Sequence, residues 1–467
     1  MKMWSGRFRQ PLDPAFERWQ RSFAFDQCLL PYELEASRAH ASALEHAGVI
    51  SSEELAEIVR GLEQIGEKAQ ADPEFLADDE AEDVHHFVEK QLVALIGETG
   101  YKLHSGRSRN EQIATDLRLY VRATIDQLQS ALAEWLGALL SCAEKAGNAA
   151  MPAYTHTQRA EPILVAHWLL AYIEMFLRDS ERLTDCRVRL NVSPLGSGAV
   201  AGATLPLDRG AMAADLGFDA PTANSVDATS DRDFILEFVH VLSQLGLHLS
   251  RWAEEMILFS TQEYGFLSLP EAYSTGSSAM PQKKNGDLLE LVRGKASRVV
   301  GASTTLSMTV KGLPLAYNKD IQETQEPLFD AAQAMRSMLP LVTGWMKEVR
   351  FDFARMQAAA SSGYMNAWAA ATYLVMRGVP SRLAHEAVGK AIKLCLDRGC
   401  ELQELGLAEL QQIHPAFDND VYQALTLEAV LAIHDVEGGT APAQVRQAMQ
   451  RAEQRIAHLR GEVHAHA

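Results

Sequence analysis

Between Asp231 and Thr261 the apolar positions Ile235, Phe238, Leu242, Leu245, Leu249, Trp252, Met256 and Phe259 follow one another at alternating steps of three and four. A spacing of about 3.5 residues keeps one stripe of a helix facing a partner over many turns, so the segment predicts a long bundle helix with Thr229, Ser230 or Asp231 available as caps. A second helix is predicted from Arg109 to about Gly147, with Ile113, Leu117, Val121, Ile125, Leu128, Leu132, Trp135 and Leu139 on one face. A third is expected to open at Pro162, a residue suited to a first helical turn, and to run to about Leu190; a fourth follows Asn285 to about Thr309. At ~1.5 Å per residue, helices of roughly 30 residues extend about 45 Å. One compact domain does not need rods of that length, and they are expected to pack against other chains.

Alternating β-branched runs are sparse, and the fold class predicted is all-α. Breaks fall at Lys102 to Ser108, at Ser193 to Pro206 and at Glu263 to Gly286. They suggest three helical domains: an N-terminal one over 1–105, a central long-helix bundle over 106–358 carrying the loop 263–286, and a C-terminal one over 359–467.

Composition narrows the function classes. Of 467 residues, 47% are hydrophobic and 22% charged, enough for a large core, and the 61 acidic against 43 basic residues leave a formal charge of -18. Such a field repels nucleic acid and anionic membrane. Five cysteines, odd in number and far apart, lack the CxxC spacing of a zinc or redox site, and a reducing cytosol fits best. The opening MKMWSGRFRQPLDP has no apolar core of a signal peptide, and no run of about 18 uncharged apolar residues exists, so neither secretion nor a membrane span is expected. An anionic substrate would need cations concentrated locally. KLHSGRSRNEQ, Lys102 to Gln112, offers three of them around Gly106 and ends at a helix start, where backbone N–H groups also favour anions. Its plain alternative is a basic helix cap.

Other segments carry more specific chemistry. GSSAMPQKKN, Gly276 to Asn285, places two serines, two lysines and an amide between an irregular run and a helix. Taken piece by piece, a serine-rich loop is usually a loop and a Lys-Lys pair usually solvated surface. YTHTQRAEP, Tyr154 to Pro162, contains His156, which can transfer a proton near neutral pH, although a lone histidine is more often structural. EDVHH, Glu82 to His86, reads poorly as a metal site, because adjacent histidines point about 100° apart on a helix. The acidic run Asp78 to Asp83 is most simply a charged helix start.

Together these strings resemble the signatures of the fumarase/aspartase superfamily, whose members break a C–N or C–O bond to release fumarate. The wording of GRSRN, with MWSGRF, RSFAFD and GLPLAYNKDIQE, points within it to the argininosuccinate branch; the resemblance runs from Met3 to the GGTAP at Gly438 to Pro442. It implies elimination of argininosuccinate to arginine and fumarate, without metal or organic cofactor, by a cytoplasmic homotetramer whose long helices form the core and whose active sites draw on several chains. It implies that Ser277 is the base, that Lys283 steadies it and the dianion, and that His156, charged and oriented by Glu290, gives a proton to the leaving nitrogen. Ser22, His85, Arg109, Asn110, Thr155, Asn285, Tyr317, Gln322 and Gln325 are implied as substrate contacts.

Two departures stand out. The family signature commonly continues Asn-Pro where this chain has Asn285-Gly286, and the family usually has lysine at the position of Gln325. Loss of one cation either weakens substrate binding or is made good by a neighbouring group. The competing readings are another fumarate-releasing lyase, such as adenylosuccinate lyase, fumarase or aspartase; an inactive crystallin-like structural protein; and a coiled-coil interaction protein, which gives GSSAMPQKKN no role.

Overall fold

A computed structural model describes residues 10–466, and MWSGRF lies outside them. Helices dominate, as the apolar periodicity predicts. In chain order the elements that matter to the site are α1 (Leu30–His46), α2 (Val84–Ile96), α3 (Arg109–Ala146), a hairpin of β1 (Ala150–Thr155) and β2 (Gln158–Leu164), α4 (Val165–Leu190), α5 (Asp233–Ser260), α6 (Asp287–Val310), α7 (Gln325–Glu348) and α8 (Pro442–His466). The heptad segment and the helix that opens at Arg109 form within a residue or two of their expected bounds.

The chain divides into two compact units. The first comprises Met1–Gln127, Arg182–Ser243 and Arg298–Ala334; the second comprises Leu128–Glu181, Gln244–Ser297 and Met335–Ala467. Each of α3, α4, α5, α6 and α7 therefore contributes a segment to each unit.

In the second unit the apolar stripes of α3, α4, α5 and α7 meet in an aromatic chain. Trp135 packs edge-on against Phe176 and Trp252, with centroids 5.5 and 4.9 Å apart, and Trp252 packs edge-on against Trp345 at 5.2 Å. All four side chains are fully buried. Edge-to-face pairs of this kind contribute about 0.5–1.5 kcal/mol each beyond the area they bury. The first unit has a smaller cluster in which Ala36, Ala39 and Ala43 of α1 pack with Leu119 of α3, Met212 and Phe218.

One expectation is corrected. Pro162 does not begin a helix; it lies in β2, opposite Pro152 of β1, and the helix starts at Val165. Both strands of a two-stranded hairpin are edges, where a residue without an N–H is tolerated, and both prolines exploit that freedom. The sequence showed a proline before an apolar run; only pairing with Pro152, ten residues earlier, makes it extended.

Candidate active site

The hairpin turn is His156-Thr157, and both residues have positive φ, 53° and 58°. Two left-handed central residues make the turn that matches the twist of a tight hairpin, a position usually given to Asn-Gly. Held there without glycine, His156 carries local backbone strain, which costs on the order of 1–3 kcal/mol per residue and tends to persist at functional positions. Its side chain is exposed, as is that of Thr155 beside it.

The second candidate segment in this unit is a clasped loop. Thr275 pairs with Asn285 and Gly276 with Lys284 in a short antiparallel ladder, so the residues between them form a loop with a fixed base. Lys284 Nζ ties that base to the Leu269 carbonyl at 2.5 Å, and Thr275 Oγ1 donates to the Asp287 carboxylate. Inside the loop, Ser277 Oγ accepts the backbone N–H groups of Met280 and Ala279, at 3.1 and 3.3 Å. Two amide dipoles aimed at a hydroxyl oxygen are the support an alkoxide needs, because they favour negative charge on that oxygen. Lys283 is exposed, Asn285 half-buried, and Glu290 exposed in the first turn of α6. Gly286 does not have positive φ, and a Cβ there would meet Leu269 and Leu289 at an ordinary 3.6 Å, so the backbone does not demand glycine at that departure. Among the described residues no hydrogen bond or ion pair joins His156 to Glu290, or Ser277 to Lys283.

The remaining candidates lie in the first unit. Ser22 is buried, its Oγ donating to Asp26 Oδ2 at 2.6 Å, while the other Asp26 oxygen accepts the Val84 N–H at 3.0 Å. Burial, with the nearby Asp83 charge, pushes the Asp26 carboxyl up to about 7. His85 is also buried. Its Nδ1 lies 3.1 Å from Glu33 Oε2 and 3.6 Å from Asp116 Oδ2, and its Nε2 has no partner.

Potential ligand atoms of Glu33, His85 and Asp116 lie within 4.8 Å of one another. The donors around them favour a shared proton over a metal ion. Glu33 Oε1 accepts from Gln112 Nε2 at 2.6 Å and Ser37 Oγ at 2.7 Å, and Arg107 Nη2 is 3.7 Å away. Burial opposes ionisation of Glu33, but Arg107 and His85 hold it down to about 2; burial and the Glu33 charge push Asp116 well above the usual carboxylate range. One carboxyl is thus ionised and the other neutral, as two adjacent buried acids require.

The expected local excess of cations is not free. Lys102 pairs with Glu54, Arg107 with Glu33, and Arg109 with Asp83 at 3.0 Å and Glu82 at 3.6 Å. Sequence reading counted the cations of Lys102 to Gln112 but could not see that helices distant along the chain bring a carboxylate to each. Asn110 Nδ2 donates to the Ala199 carbonyl at 3.2 Å, and Gln322 Nε2 to the Gln20 carbonyl at 3.2 Å. Burial raises the Tyr317 phenol above its usual range, and Gln325 is buried with Oε1 unpartnered. Asp26, Glu33 and Asp116 were not singled out in the sequence, where isolated acidic residues in helices carry no mark of burial. The EDVHH string reads as expected at its start: α2 opens at Val84, with Asp83 as its cap and Asp78 paired to Lys90.

The candidates therefore fall into two groups. Ser22, His85, Arg109, Asn110, Tyr317, Gln322 and Gln325 belong to the first unit, and Thr155, His156, Ser277, Lys283, Asn285 and Glu290 to the second. Among the described residues no helix is long and apolar enough to cross a membrane.

Comparison with known proteins concerns the chain as a whole. A lyase family model matches residues 6–301, and a model described as argininosuccinate lyase C-terminal matches residues 364–432. The argininosuccinate lyase of Acidobacterium capsulatum is 58% identical over 99% of this chain and 97% of its own length, and that of Koribacter versatilis is 58% identical over 99% of both. Among solved structures, EDDS lyase in complex with formate superposes with a TM-score of 0.82 at 27% identity, covering 98% of this chain and 92% of that one. The class II fumarase of Schistosoma mansoni shares the fold, with a TM-score of 0.73 at 16% identity over 85% and 90% of the two chains. With both family models matched and close relatives aligned from end to end, the chain belongs to the argininosuccinate lyase family.

Proposed function

We propose that this protein cleaves argininosuccinate to L-arginine and fumarate, a step of arginine biosynthesis, as a cytoplasmic homotetramer. The observation that supports the chemistry best is Ser277, whose Oγ sits on two backbone N–H groups in a loop clasped at its base. The proton on the succinyl carbon next to a carboxylate is weakly acidic, and its removal leaves a dianion that needs strong electrostatic stabilisation. Ser277 takes that Cβ proton; Lys283 and Asn285 stabilise the aci-carboxylate that results. The C–N bond to the guanidino nitrogen then breaks in the anti sense, and His156, paired with Glu290, supplies the proton that nitrogen needs as arginine leaves. Closure of the loop over the substrate excludes water while the dianion exists. No metal or organic cofactor enters these steps.

Thr155 and Asn110 bind the substrate with Arg109, and Ser22, His85, Tyr317, Gln322 and Gln325 complete its surroundings. His156 and Glu290 are exposed, and among the described residues no hydrogen bond or ion pair joins them within one chain, which supports a site assembled from several chains. The organisation we assign is an N-terminal domain over 1–105, a long-helix bundle over 106–358 that forms the tetramer core, and a C-terminal domain over 359–467.

The test is release of fumarate, followed by ultraviolet absorbance, when purified protein meets argininosuccinate, with adenylosuccinate, aspartate and malate in parallel. Turnover of argininosuccinate alone is expected. Turnover of a different substrate overturns the substrate assignment, and silence on all four from a folded protein favours a crystallin-like structural role.

A further inference from the structure

The second unit holds a cavity of about 210 Å³ that none of the candidate site residues lines. Its walls are Pro162 of β2, the end of the helix Phe353–Ala360, the link from there to the helix Ala367–Met376, the turn at Glu401, and the short helices Val421–Ala424 and Leu427–Ala432. A single water needs only about 10–15 Å³ of such space, so the cavity has room for an organic molecule of several heavy atoms. Met365, Leu425 and Val430 give it a buried apolar side.

The polar groups around the cavity are mostly acceptors. Its hydroxyls are committed as donors to backbone carbonyls: Ser361 Oγ to Gln357 at 2.9 Å, the Tyr364 phenol to Cys400 at 3.1 Å, the Tyr422 phenol to Leu405 at 2.7 Å, and Thr426 Oγ1 to Gln423 at 2.9 Å. A hydroxyl whose hydrogen is engaged can offer a ligand only lone pairs. The Asn366 amide is fixed in the same sense. Its Nδ2 donates to Gln403 Oε1 at 2.9 Å and to the Leu425 carbonyl at 3.4 Å, and its Oδ1 is buried with no partner. A buried acceptor left unmatched is costly until a donor reaches it. Among the described lining residues only the Gln403 NH2 remains as an uncommitted side-chain donor.

The single charge among those residues is negative. Glu401 accepts the Gly363 and Tyr364 N–H groups at 3.0 and 3.4 Å, on separate oxygens, which uses two of its roughly four lone-pair sites. Gly363 and Tyr364 both have positive φ, 79° and 63°, a conformation that tyrosine rarely adopts and that is kept where its surroundings enforce it. Among the described residues no cation forms an ion pair with Glu401. Glu404, whose carboxylate accepts the Glu401 N–H at 2.7 Å, adds a second negative charge nearby.

We propose that this cavity is a second binding site, for a small molecule that carries a guanidinium or alkylammonium group on an apolar stem. The cation meets the Glu401 carboxylate and Asn366 Oδ1, and the stem lies against Met365, Leu425 and Val430. A guanidinium presents several N–H donors in one plane and satisfies a carboxylate and an amide oxygen together. Two sources share that chemistry: L-arginine, the product under the proposed function, and an amine without a carboxylate, such as agmatine. The lining has no cation to receive a carboxylate, which favours the amine.

The experiment titrates the full-length protein with agmatine, L-arginine and succinate by isothermal titration calorimetry, beside Glu401→Gln, Asn366→Ala and Leu427→Trp. The last of these sets a large ring at a half-buried wall of the cavity. The parent is expected to bind agmatine. Glu401→Gln should weaken that binding about 10- to 100-fold, the range for one charged hydrogen bond, and Leu427→Trp should abolish it. Succinate, which has no donor for these acceptors, should behave alike in parent and variants. L-Arginine affinity lost in the same variants identifies the product as a ligand of the cavity; loss for agmatine alone identifies an amine without a carboxylate.

Failure of the parent to bind either agmatine or L-arginine at millimolar concentration overturns the proposal, and so does binding that Glu401→Gln and Leu427→Trp leave unchanged. Succinate binding that Leu427→Trp abolishes also overturns it, as the mark of an anion site. Where the melting temperature shows that Glu401→Gln does not fold, Leu427→Trp and Asn366→Ala decide, and parent affinity for agmatine in both sinks the idea. A parent protein that binds agmatine in the cavity but turns over no argininosuccinate refutes the proposed function and leaves this site standing.

Discussion

Replacing Asp26 by asparagine should make the protein more stable in base while leaving its fold intact. Asp26 is 1% exposed, its two oxygens accept the Val84 N–H and the Ser22 hydroxyl, and its carboxyl is raised from 3.8 to about 7 by burial and by Asp83. An acid whose folded pKa lies above its unfolded value binds more protons when folded between those two values. Stability therefore falls as pH rises from about 4 through 7, and the loss is complete above 7. A shift of about three units corresponds to about 4 kcal/mol in total, of which about 2.5 kcal/mol accrues between pH 5 and pH 8. Asparagine carries no such titration. Its amide oxygen can still accept the Val84 N–H, and its NH2 can donate to Ser22 Oγ, so both contacts survive with the hydroxyl reversed. At roughly 2–4 °C per kcal/mol for a cooperative unit of this size, Tm of Asp26→Asn minus Tm of the parent should grow by about 5–10 °C from pH 5 to pH 8. Scanning fluorimetry at a series of pH values, with matched scan rates and buffer ionic strength, measures that difference directly. A difference that stays flat across the range would falsify the assignment of Asp26 as a buried acid titrating near neutrality. Activity is a second reading: with Ser22 turned from a donor to Asp26 into an acceptor of the asparagine NH2, its hydroxyl hydrogen becomes free for substrate, and KM should change even where stability improves.

Other expectations concern the shared site, the base and the acid limit. His156→Ala and Ser277→Ala proteins, each nearly inactive, should regain partial activity when dissociated and reassembled together; no recovery in mixed tetramers verified by mass spectrometry counts against sites built from several chains. Ser277→Ala should stop exchange of the substrate Cβ proton with deuterated water, and exchange at the parent rate would remove serine from the role of base. Burial and Arg107 hold His40 down to about 3, so it folds neutral, and the stability this contributes is lost as pH falls below the unfolded value of about 6.5. His40→Gln should therefore lose about 2 kcal/mol less than the parent between pH 7 and pH 5, read from Tm at the two pH values; equal losses would show that His40 does not govern the acid limit.

The long helices were legible because their cause is periodic. The stripe from Ile235 to Phe259 has to face a partner whatever the partner is, so its existence and its ends near Asp233 and Ser260 follow from residue spacing. Strings such as GSSAMPQKKN carried the family, since a specific ten-residue run leaves a dense local mark. Decisions that depend on residues far apart in the chain were not legible. Pro162 is extended because Pro152 lies opposite it, and the left-handed turn at His156-Thr157 follows from that pairing. The cations Lys102, Arg107 and Arg109 are neutralised because α1, the start of α2 and the helix bearing Glu54 deliver carboxylates to them. Charge in a sequence is a count. Whether a charge is free, paired or buried depends on tertiary neighbours, through desolvation and Coulomb forces that fall off with distance in space and take no account of distance along the chain.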